Sequence, residues 1–411
     1  MPNLALLEKY ADLTVRVGIA VKPGQKVVIN SPIDAATFTQ QLVKKAYEAG
    51  ASYVMIQWSD PISGRTTMLN ASAEVLEEIP EWNVQRAQYL LDQGFALISV
   101  TSPVPENLAG VDPQKLQRMG RASHQKLSFF QTHLMAHRTQ WTIVGVPNEA
   151  WATKVFPGLS VDVAIEKLWD AILKASRVEE GKDAIATWND HMNRLAAQNK
   201  LLNDHNFAAL HFKNGLGTDI VVGLVEDHIW AGGGEDTPAG HHFAPNIPTE
   251  ESFTMPSKFN VNGTVVATKP LDYQGVIIDG FKLTFKDGKV VAYEAAKAQE
   301  NLKSLLELDE GASRIGEIAL IPHDSPISNM NVLFFNTLYD ENASCHMALG
   351  RAYPTNIKNG DSLSHEELSA KGSNFSMTHV DFMFGSDDMS IDGITKDGKR
   401  VPLFRKGNFV Q

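Results

Sequence analysis

FAALHFKNGLGTDIVVGLV, residues 207–225, marks the point where the chain changes its architecture. Two β-rich runs flank Asn214-Gly215, a dipeptide suited to a tight hairpin turn, so the pair is antiparallel. GFKLTFKDGKVVAYEA, residues 280–295, repeats the pattern around Asp287-Gly288. From here onward the pattern predicts mainly antiparallel strands, with one helix near 295–309.

Upstream the rhythm differs. QKVVINS (25–31), SYVMIQW (52–58), FALISVTS (95–102) and WTIVGVP (141–147) are short apolar runs separated by helical segments. Leu6, Tyr10, Leu13 and Val17 form one helical stripe. Ser31-Pro32 followed by Asp34 predicts a capped helix start; Phe38, Leu42 and Ala46 form its buried face, and Gly50 ends it. Residues 160–202 read as helix. Such alternation predicts a parallel sheet covered on both faces. The expected fold is therefore α/β with two domains and a boundary between about 180 and 207. Residues 1–200 form a parallel-sheet α/β domain, and residues 201–411 a mainly antiparallel α+β domain.

Composition narrows the function. The 411 residues carry 37 basic and 48 acidic side chains, a net charge of −11 with no basic block. Nucleic acid is an unexpected partner, and cations are favoured ones. The N-terminal stretch lacks the form of a signal peptide, and no apolar run is long enough to span a membrane. A single cysteine allows no intrachain disulfide, so the expected address is the cytoplasm. No phosphate-binding glycine motif sits between a strand and a helix. WAGGGED (230–236) reads as a loop, SHQK (123–126) as a helix surface, HEEL (365–368) as half of a zinc motif, and GHH (240–242) as a pair with one histidine facing solvent.

Charged groups inside apolar strands carry the chemistry. In RIGEIALIP (314–322), alternation puts Ile315, Glu317, Ala319 and Ile321 on one face, with Glu317 the only charge within the strand. A buried carboxylate must protonate or find a cation. In THVDFMF (378–384), His379 and Asp381 share a face. In FNTLYDENASCHMALGRAY (335–353), Glu341 precedes His346 by five residues. Glu317, Glu341, His346, His379 and Asp381 together make the ligand mixture of a two-metal hydrolytic site. NIPTEESFTMP (246–256) adds Glu250 or Glu251; neighbours in an extended chain point opposite ways, and spacing does not choose. Cys345, beside His346, is expected to fill space, because adjacent side chains rarely face each other as a nucleophile–base pair needs.

These motifs, with VNGTVVATKPL (261–271), IGEIALIPHDSPIS (315–328) and THVDFMFGSDDMSIDG (378–393), closely resemble the thermophilic aminopeptidase family of the aminopeptidase T and S type. The likeness is dense from about 245 to 395. It implies a homodimeric metal-dependent aminopeptidase with two divalent ions per subunit, acting on the free N-terminus of short peptides with broad side-chain preference; the mixed nitrogen and oxygen donors suit zinc, cobalt, manganese or magnesium. It implies metal ligands at Glu251, Glu317, Glu341, His346, His379 and Asp381, and a catalytic part for Tyr353. In the mechanism this suggests, Glu317 bridges the metals and Tyr353 donates to the oxyanion, while proton transfer stays open between Glu317 and the Glu250/Glu251 pair. A dimetal phosphoesterase or amidohydrolase, with Lys269 and Arg351 as anion holders, and a non-catalytic peptide- or metal-binding protein are the alternatives.

Overall fold

Val27, Val28 and Ile29 lie buried in an inner strand of a parallel sheet in the computed structural model, which describes residues 3–273 and 276–410. The strand order is Tyr53–Ser59, Lys26–Pro32, Ala96–Thr101, Trp141–Gly145 and Asn246–Ile247. Every pairing is parallel, with Ile29 opposite Ile56 and Ile98, and Ile98 opposite Thr142. The helix Ala36–Glu48 buries Phe38, Leu42 and Ala46 as expected. Its start differs: the strand runs through Pro32, a 3-10 turn over Ile33–Ala35 leads in, and Ser31 pairs with Thr39 instead of capping. The first stripe also shifts. Tyr10 and Leu13 are buried as expected, Leu6 and Val17 only half-buried; Leu7, Ala11 and Thr14 are buried beside them, and a π-helical stretch over Thr14–Gly18 changes the phase before Val17.

The chain divides into two compact units. One runs to Asp190 and takes back Gly234–Pro248; the other holds His191–Gly233 and the chain from Thr249. The parallel sheet belongs to the first. Among the described residues no helix is long and apolar enough to cross a membrane.

The second unit is built on antiparallel sheets. Ala209–Lys213 and Asp219–Leu224 pair as a hairpin, with Asn214 Oδ1 accepting from the N–H groups of Leu216 and Thr218 across the turn. Asp287 and Gly288, both at positive φ, turn the Val276–Lys286 strand into Lys289–Lys297. These strands join a nine-stranded sheet, and the expected helix is Gln299–Leu306.

A smaller sheet positions the chemistry, in the order Ser252–Thr254, Ile315–Leu320, His346–Gly350 and His379–Met383. Ile318, Leu320, Met347, Leu349 and Phe382 belong to the unit's main apolar core. Strict alternation fails at one point. Ile315 pairs with Leu349 but Glu317 with Ala348, so a bulge at Gly316 sends Ile315 into the core with Leu349 and leaves Glu317 on the other face. Only glycine fits there: a Cβ on residue 316 would lie 2.3 Å from the Arg351 carbonyl oxygen and 2.4 Å from that of Gly350.

Gly316→Ala is therefore expected to destabilise the protein by about 1–3 kcal/mol, the usual cost of overpacking a tight site. Urea unfolding of both proteins checks it; an unchanged midpoint would mean that the bulge has room to shift.

Candidate metal centre

Three strands of the smaller sheet bring the sequence-derived residues into register. Glu317 lies opposite Ala348, and Ala348 opposite Asp381; His379 lies opposite Gly350, and His346 opposite Ala319. The central strand thus offers small residues where its neighbours offer chemistry, and carboxylates from both sides can meet above it. His346 is 1 % exposed, Glu317 6 % and Glu251 8 %.

Two groups of ligand atoms result, and they share Glu317. His346 Nε2 lies 3.3 Å from Glu251 Oε2 and 3.4 Å from Glu317 Oε1. His379 Nε2 lies 3.4 Å from Asp381 Oδ1 and 3.7 Å from Glu317 Oε2. An ion with ligand bonds of about 2.0–2.1 Å in tetrahedral array separates its ligands by about 3.3–3.4 Å. The two oxygens of Glu317 reach toward different histidines, as a bridging carboxylate does. Each imidazole also has its other nitrogen committed: His346 Nδ1 donates to the Glu341 carbonyl at 2.9 Å and His379 Nδ1 to the Arg351 carbonyl at 2.7 Å. That fixes both rings with Nε2 turned to the carboxylates, the arrangement of a metal-ligating histidine. Asp381 Oδ1 is buried and has no hydrogen-bond partner among the described residues. The donor set, all carboxylate and imidazole, fits a divalent ion at each of the two positions.

The electrostatics point the same way. Burial pushes Glu317 above its ordinary pKa, against the pull of His346 and His379. Burial, followed by the charges of Glu251 and Asp381, pushes Glu341 well above the carboxylate range; among the described residues its carboxylate belongs to neither ligand group. Burial alone would lower both histidines. The carboxylates reverse this: Glu251 and Glu317 hold His346 well above its usual value, and Asp381 with Glu317 raises His379 to about 9. Burial would raise Asp381, yet His379 and His346 bring it below its usual value. Three carboxylates beside two imidazoles, with the charge of Glu341 acting on them, leave an excess of buried negative charge that calls for cations.

The neighbouring acids separate. Glu250 points to His191, 3.8 Å from its Nε2, whereas Glu251 meets His346. Asp340 accepts from the N–H groups of Phe334 and Asn336 and so shapes its own turn. Tyr353 is half-buried with its ring centroid 4.8 Å from that of His379. Burial, then the charges of Glu317 and Asp381, drive its phenol well above the usual value, so it stays a proton donor.

The other candidates play local roles. Cys345 is 2 % exposed, its Sγ donates to the Ile321 carbonyl at 3.3 Å, and burial pushes the thiol up to about 11. HEEL opens the helix His365–Lys371, where Ser364 and Glu367 form a capping box. The surface helix Pro113–Met135 contains SHQK, and His242 sits exposed beside Asp236. WAGGGED is only partly loop: Ala231 bridges to Phe253 and Glu235–Asp236 pairs with His242–Phe243. Its Gly232, at φ +137, lies so near that a Cβ would stand 2.1 Å from the Glu251 carbonyl oxygen. Arg351 is exposed with Nε donating to the Ser376 carbonyl, and Lys269 is half-buried.

Sequence reading passed over two residues. His191, 4 % exposed, donates from Nε2 to the Thr249 carbonyl at 2.7 Å. Its signal was a histidine at helical spacing with the buried Leu195 and Leu202. Asn342, fully buried beside Glu341, left no signal in spacing.

The family model for the thermophilic metalloproteases (M29) matches residues 4–409. Aminopeptidase 2 of Geobacillus stearothermophilus is 47% identical over 404 residues, 98% of this chain and 97% of that protein. Aminopeptidase AmpS of Bacillus subtilis is 45% identical, again over 98% of each. The solved structure of wild-type AmpT from Thermus thermophilus superposes with a TM-score of 0.93 at 39% identity, covering 99% of this chain and 100% of that one.

The geometry around Cys345 yields a prediction about reactivity. With its pKa at about 11, the thiol is protonated and shielded at pH 8. An aromatic disulfide reagent should label it only after denaturation, and Cys345→Ala should keep most activity. Fast labelling of the folded protein, or an inactive Cys345→Ala that still folds, would restore the thiol as a nucleophile.

Proposed function

The chain belongs to the thermophilic metalloprotease (M29) family and is a metal-dependent aminopeptidase; from this we propose that its buried cluster holds two divalent ions bridged by Glu317 and that the enzyme removes the N-terminal residue of short peptides with broad side-chain preference. The observation that carries the proposal is the pair of ligand groups sharing Glu317, with side-chain separations of 3.3–3.7 Å. We assign Glu251, Glu317 and His346 to one ion and Glu317, His379 and Asp381 to the other, with Glu341 completing the set. The domain carrying this site is the antiparallel one, residues 201–411 in the division read from sequence.

Bound divalent ions supply Lewis acidity and an acidified water for attack on the scissile carbonyl. The chain's own groups do the rest. The net negative charge of the chain, −11, favours the approach of a peptide's ammonium end. Tyr353, kept protonated, offers its O–H to the oxygen of the carbonyl as charge develops there. Glu250 is turned to His191, which leaves Glu251 and Glu317 as the carboxylates that can carry the proton to the leaving amine. The small buried residue Ala348, between Glu317 and Asp381, forms the floor of the site. Zinc, cobalt, manganese and magnesium all suit these donors. A homodimer, as the resemblance implies, and a cytoplasmic address, which the lone unpaired cysteine suits, complete the reading.

Amino-acid release from a free peptide and from its N-acetylated form, with and without a chelator, tests the proposal. The free peptide should be hydrolysed, the acetylated one should not, chelation should abolish the activity, and added divalent ion should restore it. Equal turnover of both peptides, or full activity in verified metal-free protein, would contradict it.

A further inference from the structure

Glu251 and Glu341 come from distant parts of the chain, yet the His346 ring meets the Glu251 carboxylate with one nitrogen and the Glu341 carbonyl with the other. Strand pairing does not explain this, because Glu341 lies in a short 3-10 turn and Glu251 precedes its strand. The link is Asn342. Its Oδ1 accepts the Glu250 backbone N–H at 2.7 Å, and its Nδ2 donates to the Leu338 carbonyl at 3.0 Å. His346 Nδ1 donates to the Glu341 carbonyl at 2.9 Å, and its Nε2 lies 3.3 Å from the Glu251 carboxylate.

These contacts close a ring. It runs from the Asn342 side chain to the Glu250 main chain, through the Glu251 side chain to the His346 ring, on to the Glu341 carbonyl, and by one peptide bond back to Asn342. Asn342 is the one side chain in the ring outside the ligand set, and it is fully buried. His191 holds the same segment from its other side through the Thr249 carbonyl. An amide is the group the place requires, with an acceptor at one end for an N–H and a donor at the other for a carbonyl. An apolar isostere would strip the Glu250 N–H of its acceptor in a buried setting.

We propose that Asn342 is a positioning residue that locks Glu251 and Glu341 into one frame around His346, so that ions enter a site already in shape. The proposal rests on the ligand reading given above. It differs from a merely structural part in what it moves: affinity for the ion, beyond the stability of the chain.

The test is Zn²⁺ affinity, by competition with a chromophoric chelator, beside melting temperatures in excess chelator, for wild type, Asn342→Leu and Asn342→Asp. Asn342→Leu should weaken Zn²⁺ binding by about 10–100-fold, the usual effect of removing a partner behind a metal ligand. It should lower kcat with little change in KM. Asn342→Asp, which keeps an acceptor for the Glu250 N–H, should bind more tightly than Asn342→Leu. Where Asn342→Leu does not fold, Asn342→Ser, polar but too short to reach Glu250, takes its place with the same expectation. Affinity within about twofold of wild type in the Leu or Ser variant overturns the proposal, whatever the melting temperature. Wild type that takes up no Zn²⁺ overturns the ligand reading and this inference with it, a result distinct from wild-type binding that the substitution leaves unchanged.

Discussion

Mutual repulsion among Glu251, Glu317, Glu341 and Asp381, two from strands of the small sheet and two from the segments beside them, is the constraint around which this unit is arranged. Two carboxylates about 4 Å apart repel by about 4 kcal/mol at an effective dielectric near 20. Burial adds a desolvation cost to each. Two imidazoles relieve part of this, and both are drawn toward their charged forms by it. A charge-balanced state needs cations, so folding and ion uptake are expected to be linked in this unit.

The remainder of the unit supplies the stiffness that keeps these groups together. The far face of the small sheet is core, through Ile318, Met347 and Phe382. The near face is kept open by Ala348 and Gly350 on the central strand. Close backbone approaches at Gly316 and Gly232 bring the Glu317 and Glu251 segments nearer than any residue with a Cβ would allow. Backbone carbonyls of Glu341 and Arg351 choose the tautomer of each histidine. The same logic settles the thiol beside the imidazole: Cys345, just before the strand, points to the core and Ile321, and His346, which opens it, to the carboxylates.

Much of this was legible in the residues. Period-2 alternation identified H-x-D as one face, and a lone glutamate in an apolar strand marked Glu317. Turn chemistry at Asn214-Gly215 and Asp287-Gly288 separated antiparallel from parallel architecture. What escaped was set by backbone irregularity or by tertiary contact. The bulge at Gly316 moves Ile315 off the face that strict alternation assigns it, and the π-helical stretch after Leu13 rotates the first stripe. The choice between Glu250 and Glu251 depends on where His191 and His346 stand in space, which spacing does not encode. Asn342 acts through a main-chain N–H, a group every residue but proline possesses, so its partner leaves no trace in composition.

Glu317 as a carboxylate shared by two ions is the central claim, and metal stoichiometry tests it most directly. Elemental analysis of the protein loaded with Zn²⁺ and freed of excess should give two ions per chain for wild type. Glu317→Gln keeps the shape and removes the bridging charge, so it should lose both ions or retain only one, with the fold intact by circular dichroism. Two ions retained by Glu317→Gln, or a wild type that saturates at one, would contradict the shared-carboxylate site.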